Sequence, residues 1–315
     1  MIKNRRAFII GIKTTKLSIQ ERFFLKKYKP WGIILFSRNI RSIKQTKSLT
    51  NSVKKIFKDQ NYPILIDQEG GRVNRLNKII NLDNFTSEFF GNLFVKDKNK
   101  FNIVYKFFVD KTSNLLKQLG VNINTVPVLD LKYRGKSNVI GDRSFSENKN
   151  IVSKMGDKCI ELFHENSIGT VIKHIPGHGL AKVDSHYFTP TVKKSLKYLD
   201  KNDFFTFRKK KSFFAMTCHV IFQKIDAINT VTHSKKIINH IRKNIKFNNI
   251  LISDDLSMKS LKDNLKTRTN KAFEAGCNLV LHCNGNINEM IVVADNSPLI
   301  NRFIEKKTSQ FYKIL

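Results

Sequence analysis

Short apolar runs alternate with longer polar segments along the whole chain, and this alternation constrains the fold more than any other feature. Eight runs of three to six residues recur, and most are rich in Ile, Val, Leu and Phe. Runs of this length and composition are typical of strands that are buried on both faces. They cover residues 7–11, 31–36, 63–66, 125–129, 170–172, 213–217, 250–252 and 278–281.

The segments between the runs have the periodicity of amphipathic helices. Residues 42–57 and residues 98–119 both place their apolar side chains toward one side. Strand–helix alternation repeated eight times predicts an α/β fold, a single (β/α)8 TIM-type barrel. The 315 residues, 41% of them hydrophobic, suffice for one large core. Because no linker or low-complexity segment interrupts them, we expect residues 1–315 to form one domain.

Polar side chains gather where the predicted strands end. In such a barrel the carboxyl ends of all eight strands meet at one face, and active sites lie at that face. Charged or imidazole side chains follow six of the eight runs, so we predict a polar pocket there. The residues concerned are Asp67, Glu69, Asp130, Asp142, Arg143, Lys173, His174, His219, Asp254, Asp255 and His282.

The segment after the fifth run has the highest concentration of side chains that can bind a polar ligand or transfer protons. Residues 173–179 read KHIPGHG, and residues 184–186 read DSH. Glycine and proline bend such a stretch into a loop, where imidazoles, an ammonium and a carboxylate can bind a polar ligand or move protons. Two interpretations stay open from the residues alone. One is a proton-transfer pair, and the other is a metal site built from His174, His178, Asp184 and His186.

A pocket of this composition suits a polyhydroxylated substrate, because charged side chains make strong hydrogen bonds to sugar hydroxyls. Glycoside hydrolysis needs a carboxylate and a proton donor to the leaving oxygen. Asp254 or Asp255 can supply the carboxylate. The proton can come from His186, because Asp184 lies two positions away and can orient and charge the imidazole.

Six segments carry a family resemblance, and they occur in the family's order over most of the chain. The chain resembles the β-N-acetylhexosaminidases of glycoside hydrolase family 3, specifically the bacterial cytoplasmic enzymes of peptidoglycan recycling. The segments are residues 66–75 (IDQEGGRVNR), 127–131 (PVLDL), 140–145 (IGDRSF), 173–179, 184–186 and 253–258 (SDDLSM).

The resemblance implies a role for each of eight residues. Asp254 matches the catalytic nucleophile, and His186 matches the general acid/base with Asp184 as its partner. Five residues match groups that hold the terminal N-acetylglucosamine: Asp67, Arg75, Arg143, Lys173 and His174. The implied reaction is a retaining exo-cleavage of muropeptide fragments such as N-acetylglucosaminyl-1,6-anhydro-N-acetylmuramic acid. No metal or organic cofactor is implied.

Charge and cysteine content bear on partners and location. The formal net charge of +32 suggests a nucleic-acid partner, but the lysines are spread along the whole chain. We therefore expect a basic, solvated surface that binds no nucleic acid. We also expect a monomer. The four cysteines form no CxxC pair, which favours reduced, buried thiols. With no apolar stretch of about 20 residues, the chain is expected to be soluble and cytoplasmic.

Three alternatives remain at this point. A β-glucosidase-like enzyme of the same family differs in the sugar that it accepts. A metal-dependent barrel hydrolase and a nucleic-acid-binding protein belong to other classes. Histidine as the acid/base repels anions less than a carboxylate does, so phosphate is a possible acceptor beside water.

Overall fold

The barrel is closed by eight parallel strands, with helices outside it. The computed structural model describes residues 2, 4–133, 135, 139–185 and 187–315. The barrel strands follow one another around the circle in the order β1, β10, β9, β7, β5, β4, β3, β2, and β6 pairs with β8 beside the barrel. This confirms the predicted TIM-type barrel. The strands are β1 Arg6–Gly11, β2 Pro30–Leu35, β3 Ile64–Ile66, β4 Ile123–Asn124, β5 Gly169–Ile175, β6 Thr191–Val192, β7 Phe214–Thr217, β8 Ile221–Phe222, β9 Ile250–Asp255 and β10 Leu279–His282.

The fourth strand is where the sequence prediction was wrong. The apolar run at residues 125–129 predicts a strand, but β4 ends at Asn124. Pro127 has no N–H to donate to a neighbouring strand, so regular pairing stops before it. The chain contacts β5 again beyond the proline, where the Leu129 N–H donates to the Lys173 carbonyl at 2.7 Å.

The helices begin at residues whose side chains cap them. Ser42 accepts from the N–H of Gln45, and Asp97 accepts from that of Lys100. Both predicted helices agree within one residue at each end. No described helix is long and apolar enough to cross a membrane. The helices are α1 Ile19–Tyr28, α2 Ile43–Phe57, α3 Ser87–Lys96, α4 Lys98–Gln118, α5 Lys149–Glu165, α6 Leu196–Lys201, α7 Lys235–His240, α8 Leu265–Ala275, α9 Ile287–Asp295 and α10 Arg302–Tyr312.

An aromatic cluster fills the end of the barrel where the strands begin. The Trp31 ring lies 5.5 Å from that of Phe214, which lies 5.3 Å from the ring of Phe311 on α10. The Trp31 indole also donates to Thr308 at 2.9 Å. Such burial stabilises the fold and fills the barrel interior at this end.

Candidate active site

A cavity of about 180 Å3 lies at the carboxyl ends of the strands, as the sequence predicted. Six of the eight residues selected from the sequence line it: Asp67, Arg75, Arg143, Lys173, His174 and Asp254. Of the other two, Asp184 adjoins Ser185, which does line the cavity. His186 lies outside the described residues.

Five alternating charges form a chain along one wall of the cavity. The Lys173 ammonium is 3.0 Å from Asp67 Oδ1 and 2.7 Å from Glu69 Oε1. Arg143 donates two hydrogen bonds of 2.8 Å to Glu69, and the Arg75 guanidinium lies 3.4 Å from Asp67 Oδ2. Three cations thus surround two carboxylates, and these five groups together carry one net positive charge.

The cations keep both carboxylates ionised in spite of their burial. Burial by itself raises the pKa of Asp67, but the charges of Lys173 and Arg75 outweigh it and hold that pKa well below its usual range. Glu69 is affected in the same way: burial opposes ionisation, while Arg143 and Lys173 bring its pKa down to about 2. Both oxygens of Glu69 are engaged by these cations, so this residue orients its neighbours.

Asp130 ties the start of the fifth loop to the barrel. Its carboxylate is fully buried and accepts from the His174 ring Nδ1 at 2.7 Å and from the His178 N–H at 2.6 Å. Burial raises the pKa of Asp130, but the nearby imidazoles and N–H groups lower it by more. The Asp130 contact at Nδ1 fixes the His174 ring and leaves Nε2 as the other donor or acceptor.

His178 shapes the loop. Its ring lies 3.1 Å from the Ser185 hydroxyl, and burial, with the neighbouring His174, lowers its pKa to about 4. Gly177 and Gly179 are needed for packing. A Cβ on Gly179 would lie 2.1 Å from the Leu131 carbonyl oxygen, and Gly177 has a φ of +146°. The first half of the loop is therefore closely packed.

Asp254 and Asp255, which the sequence left as alternatives, have different surroundings. Asp255 accepts from the N–H groups of Ser257 and Cys283 at 3.0 and 3.1 Å, and from the Ser257 hydroxyl at 2.7 Å. Its carboxylate thus holds the turn after β9. Both carboxylates are half-buried and line the cavity, and Asp254 accepts the N–H of Asp255 at 2.8 Å. Of the two, the Asp254 carboxylate is the better placed for chemistry.

Several lining residues escaped the sequence reasoning. Phe36 follows β2, and the guanidinium groups of Arg38 and Arg75 lie 4.7 and 5.4 Å from its ring centre. Met216 and Met258 are further apolar lining residues. The sequence signal that could have identified these residues is their position at or just beyond a strand end. Because core residues are also apolar, residue type alone does not distinguish the two.

The metal hypothesis has little support in the described part of the chain. No three His, Cys, Asp or Glu side chains converge there as metal ligands. Two of the four proposed ligands are engaged elsewhere, since His174 contacts Asp130 and His178 contacts Ser185. His186 is the proposed ligand that lies outside the described residues.

A Glu69→Gln substitution tests the charge chain. We expect kcat/KM to fall about 10- to 100-fold and the free energy of unfolding to fall by about 2–4 kcal/mol, because two buried cations lose a partner. The wild-type Glu69 stabilises the fold while it is ionised, so this contribution is lost as pH falls from about 4.5 toward 2. Thermal unfolding between pH 7 and 3 should therefore show a shallower loss in the variant. Equal slopes would contradict the assignment.

Comparison with known proteins adds to this geometry. The model described as the glycosyl hydrolase family 3 N terminal domain matches residues 7–312. A β-hexosaminidase of Actinobacillus pleuropneumoniae serotype 3 (strain JL03) is 32% identical over 295 residues, covering 88% of this chain and 80% of that protein. One from Neisseria gonorrhoeae (strain ATCC 700825 / FA 1090) is 30% identical over 314 residues, covering 95% and 85%. The crystal structure of NagZ from N. gonorrhoeae with N-trifluoroacetyl-D-glucosamine superposes with a TM-score of 0.88 at 27% identity, covering 98% of this chain and 90% of that one.

Proposed function

The chain belongs to glycosyl hydrolase family 3 and is a β-N-acetylhexosaminidase of that family, and from this premise we propose a retaining exo-enzyme that acts on muropeptide fragments. The observation that carries the proposal is the carboxylate of Asp254 in a closed-ended cavity, next to a wall of paired cations and carboxylates. Such a cavity admits one terminal sugar and gives its hydroxyl groups charged partners.

In the proposed first step the Asp254 carboxylate attacks the anomeric carbon of the terminal N-acetylglucosamine. The bond from that carbon to the glycosidic oxygen breaks, and His186 gives its proton to the departing oxygen. In the second step water attacks the glycosyl ester, His186 takes a proton from the water, and Asp254 leaves as a carboxylate. Two inversions give net retention of the anomeric configuration.

The remaining residues hold the sugar. Asp67 is fixed by Lys173 and Arg75 and accepts hydrogen bonds from hydroxyl groups. Lys173 and Arg143 donate to hydroxyl or acyl oxygens. The His174 ring contacts Asp130 through Nδ1 and offers Nε2 to the sugar. These contacts restrict the substrate to one orientation, with the anomeric carbon toward Asp254.

The natural substrate we propose is N-acetylglucosaminyl-1,6-anhydro-N-acetylmuramic acid with its peptide, cleaved in the cytoplasm by a monomer without a cofactor. All four cysteines are free, and three are buried, which suits a reducing compartment. Water is the proposed acceptor in the second step. Formation of a sugar 1-phosphate in phosphate buffer would instead identify phosphate as the acceptor.

Parallel assays with chromogenic β-N-acetylglucosaminide and β-glucoside substrates test the activity. We expect kcat/KM for the N-acetylglucosaminide to be at least about 100-fold higher, because groups that bind the acylamino substituent lose their partners with glucose. Equal or faster glucoside cleavage would instead favour the β-glucosidase alternative. Activity after dialysis against a chelator tests the metal alternative in the same assay.

A further inference from the structure

A second cavity, of about 420 Å3, lies on the same face of the barrel. Its polar lining includes Thr189, Asn229, Thr230, Ser260 and Lys262. We propose that this cavity is the subsite for the peptide carried by the leaving group. The inference rests on the proposed muropeptide hydrolysis and adds a recognition site that lies outside the sugar pocket.

The loop that carries the proposed acid/base contributes to the lining of this cavity. Thr189 comes three residues after His186, on the loop that brings the acid/base, and Ser260 comes six residues after Asp254. The acid protonates the glycosidic oxygen, so the leaving group must lie beside this loop. The Thr189 hydroxyl donates to the Ser260 carbonyl at 2.6 Å and joins the two loops at the cavity.

Both loops also contribute to the sugar pocket. Ser185 lines the first cavity and Thr189 the second, while Met258 lines the first and Ser260 the second. The members of each pair are close neighbours along the chain. The same two loops therefore contribute to both cavities, and we place the sugar in the first cavity and the peptide of the leaving group in the second.

Two hydroxyl groups in the lining of this cavity are buried but unpartnered. The Thr230 and Ser260 residues are 5% and 1% exposed, and neither hydroxyl has a hydrogen-bond partner within the described residues. A buried hydroxyl without a partner destabilises the fold, whereas a ligand that bonds to it recovers that free energy. Because a hydroxyl both donates and accepts, the N–H and C=O groups of a peptide satisfy it.

The rim of this cavity complements the side chains and the carboxylate of a short acidic peptide. Ile228 is 83% exposed at the cavity and offers an apolar contact for a small aliphatic side chain such as that of alanine. Lys271 is paired with Asp263 at 2.7 Å, whereas Lys262 is exposed and lines the cavity. Its ammonium is available to a peptide carboxylate. Neutral donors, an apolar contact and a cation together favour a peptide over a further neutral sugar.

The test compares N-acetylglucosaminyl-1,6-anhydro-N-acetylmuramic acid with and without its peptide. Thr230→Val and Ser260→Ala each remove a hydroxyl with little change of shape, and Lys262→Gln removes the exposed charge. We expect each to lower kcat/KM for the peptide-bearing substrate by about 5- to 10-fold, through KM, because one hydrogen bond is lost. Cleavage of the peptide-free disaccharide should stay within about 2-fold.

Lys266→Gln is the matched control, because Lys266 is exposed on α8 and is not part of the cavity lining. It should change neither rate. If the wild type cleaves both disaccharides equally well, the peptide subsite is wrong while the proposed activity stands. If the wild type cleaves no β-N-acetylglucosaminide, the proposed function itself fails. Because Lys262 is on the surface, its variant should stay folded, and an unchanged rate on the peptide-bearing substrate would contradict the subsite even if the buried variants unfold.

Discussion

Replacing Asp254 by asparagine is expected to lower kcat for a β-N-acetylglucosaminide by about 10,000-fold without unfolding the protein. An amide oxygen is a poor nucleophile and cannot form the glycosyl ester, so the first chemical step is lost. Asparagine has the same shape, and its oxygen can still accept the Asp255 N–H that Asp254 accepts at 2.8 Å. Steady-state kinetics, with circular dichroism as the check on folding, measure the effect.

Asp255→Asn is the matched control, because it changes the neighbouring carboxylate in the same way. Asparagine at this position keeps an oxygen for the N–H groups of Ser257 and Cys283, and we expect kcat to fall less than about 10-fold. If Asp255→Asn removed activity and Asp254→Asn kept it, the two roles would be reversed.

An activated substrate gives a direct test of the covalent step. A β-N-acetylglucosaminide with a highly activated leaving group should load the protein faster than water can remove the sugar. Mass spectrometry of the intact protein should then show one added N-acetylglucosamine. Fragmentation should locate it on the peptide that contains Asp254, and the Asp254→Asn variant should show no adduct.

The barrel and the ring of polar residues followed from the sequence because both depend on simple periodic rules. Buried parallel strands read as apolar runs, and their carboxyl ends share one face. A polar residue just after a run, such as Lys173, is therefore assigned to the pocket without knowledge of its contacts. The rule failed at residues 125–129, where apolar character continues past β4 although Pro127 has no N–H to donate to a neighbouring strand.

The ion pairs and hydrogen bonds between side chains of the site could not be predicted from the sequence, because they join residues that are far apart along the chain. Arg143 and Glu69 are 74 residues apart, and nothing local indicates that they form two hydrogen bonds. His219 is a similar case. The sequence grouped it with the polar residues that follow the strands, but its ring contacts the Asp255 carbonyl at 3.0 Å and the Thr232 hydroxyl at 2.8 Å. It therefore supports the turn behind Asp254.

The distinction between Asp254 and Asp255 shows what structure adds to a motif. Both carboxylates follow the same strand, and either can act as a nucleophile by residue type. The family resemblance chose Asp254, and the hydrogen bonds of Asp255 to Ser257 and Cys283 give a physical reason for the same choice. These three hydrogen bonds hold the Asp255 carboxylate in the turn and weaken it as a nucleophile.

The second large effect is expected at the acid/base. His186→Ala should lower kcat/KM for a substrate with a sugar leaving group by about 1,000-fold, because the departing oxygen no longer receives a proton. For a nitrophenyl leaving group, which departs without help, kcat/KM should fall less than about 10-fold. Removal of the sugar from Asp254 still requires a base, so the glycosyl-enzyme should accumulate and appear as a burst of nitrophenol.

Azide separates the two catalytic roles. It attacks the glycosyl ester without giving up a proton, so it should restore kcat of His186→Ala on the nitrophenyl substrate and yield the β-glycosyl azide. It should not rescue Asp254→Asn, in which no glycosyl ester forms. Asp184→Asn keeps the imidazole of His186 but removes the carboxylate that we propose as its partner, and the alkaline limb of the pH–activity profile should move down by about one pH unit. If His186→Ala showed the same loss for both leaving groups and no response to azide, the proton donor would have to be another residue.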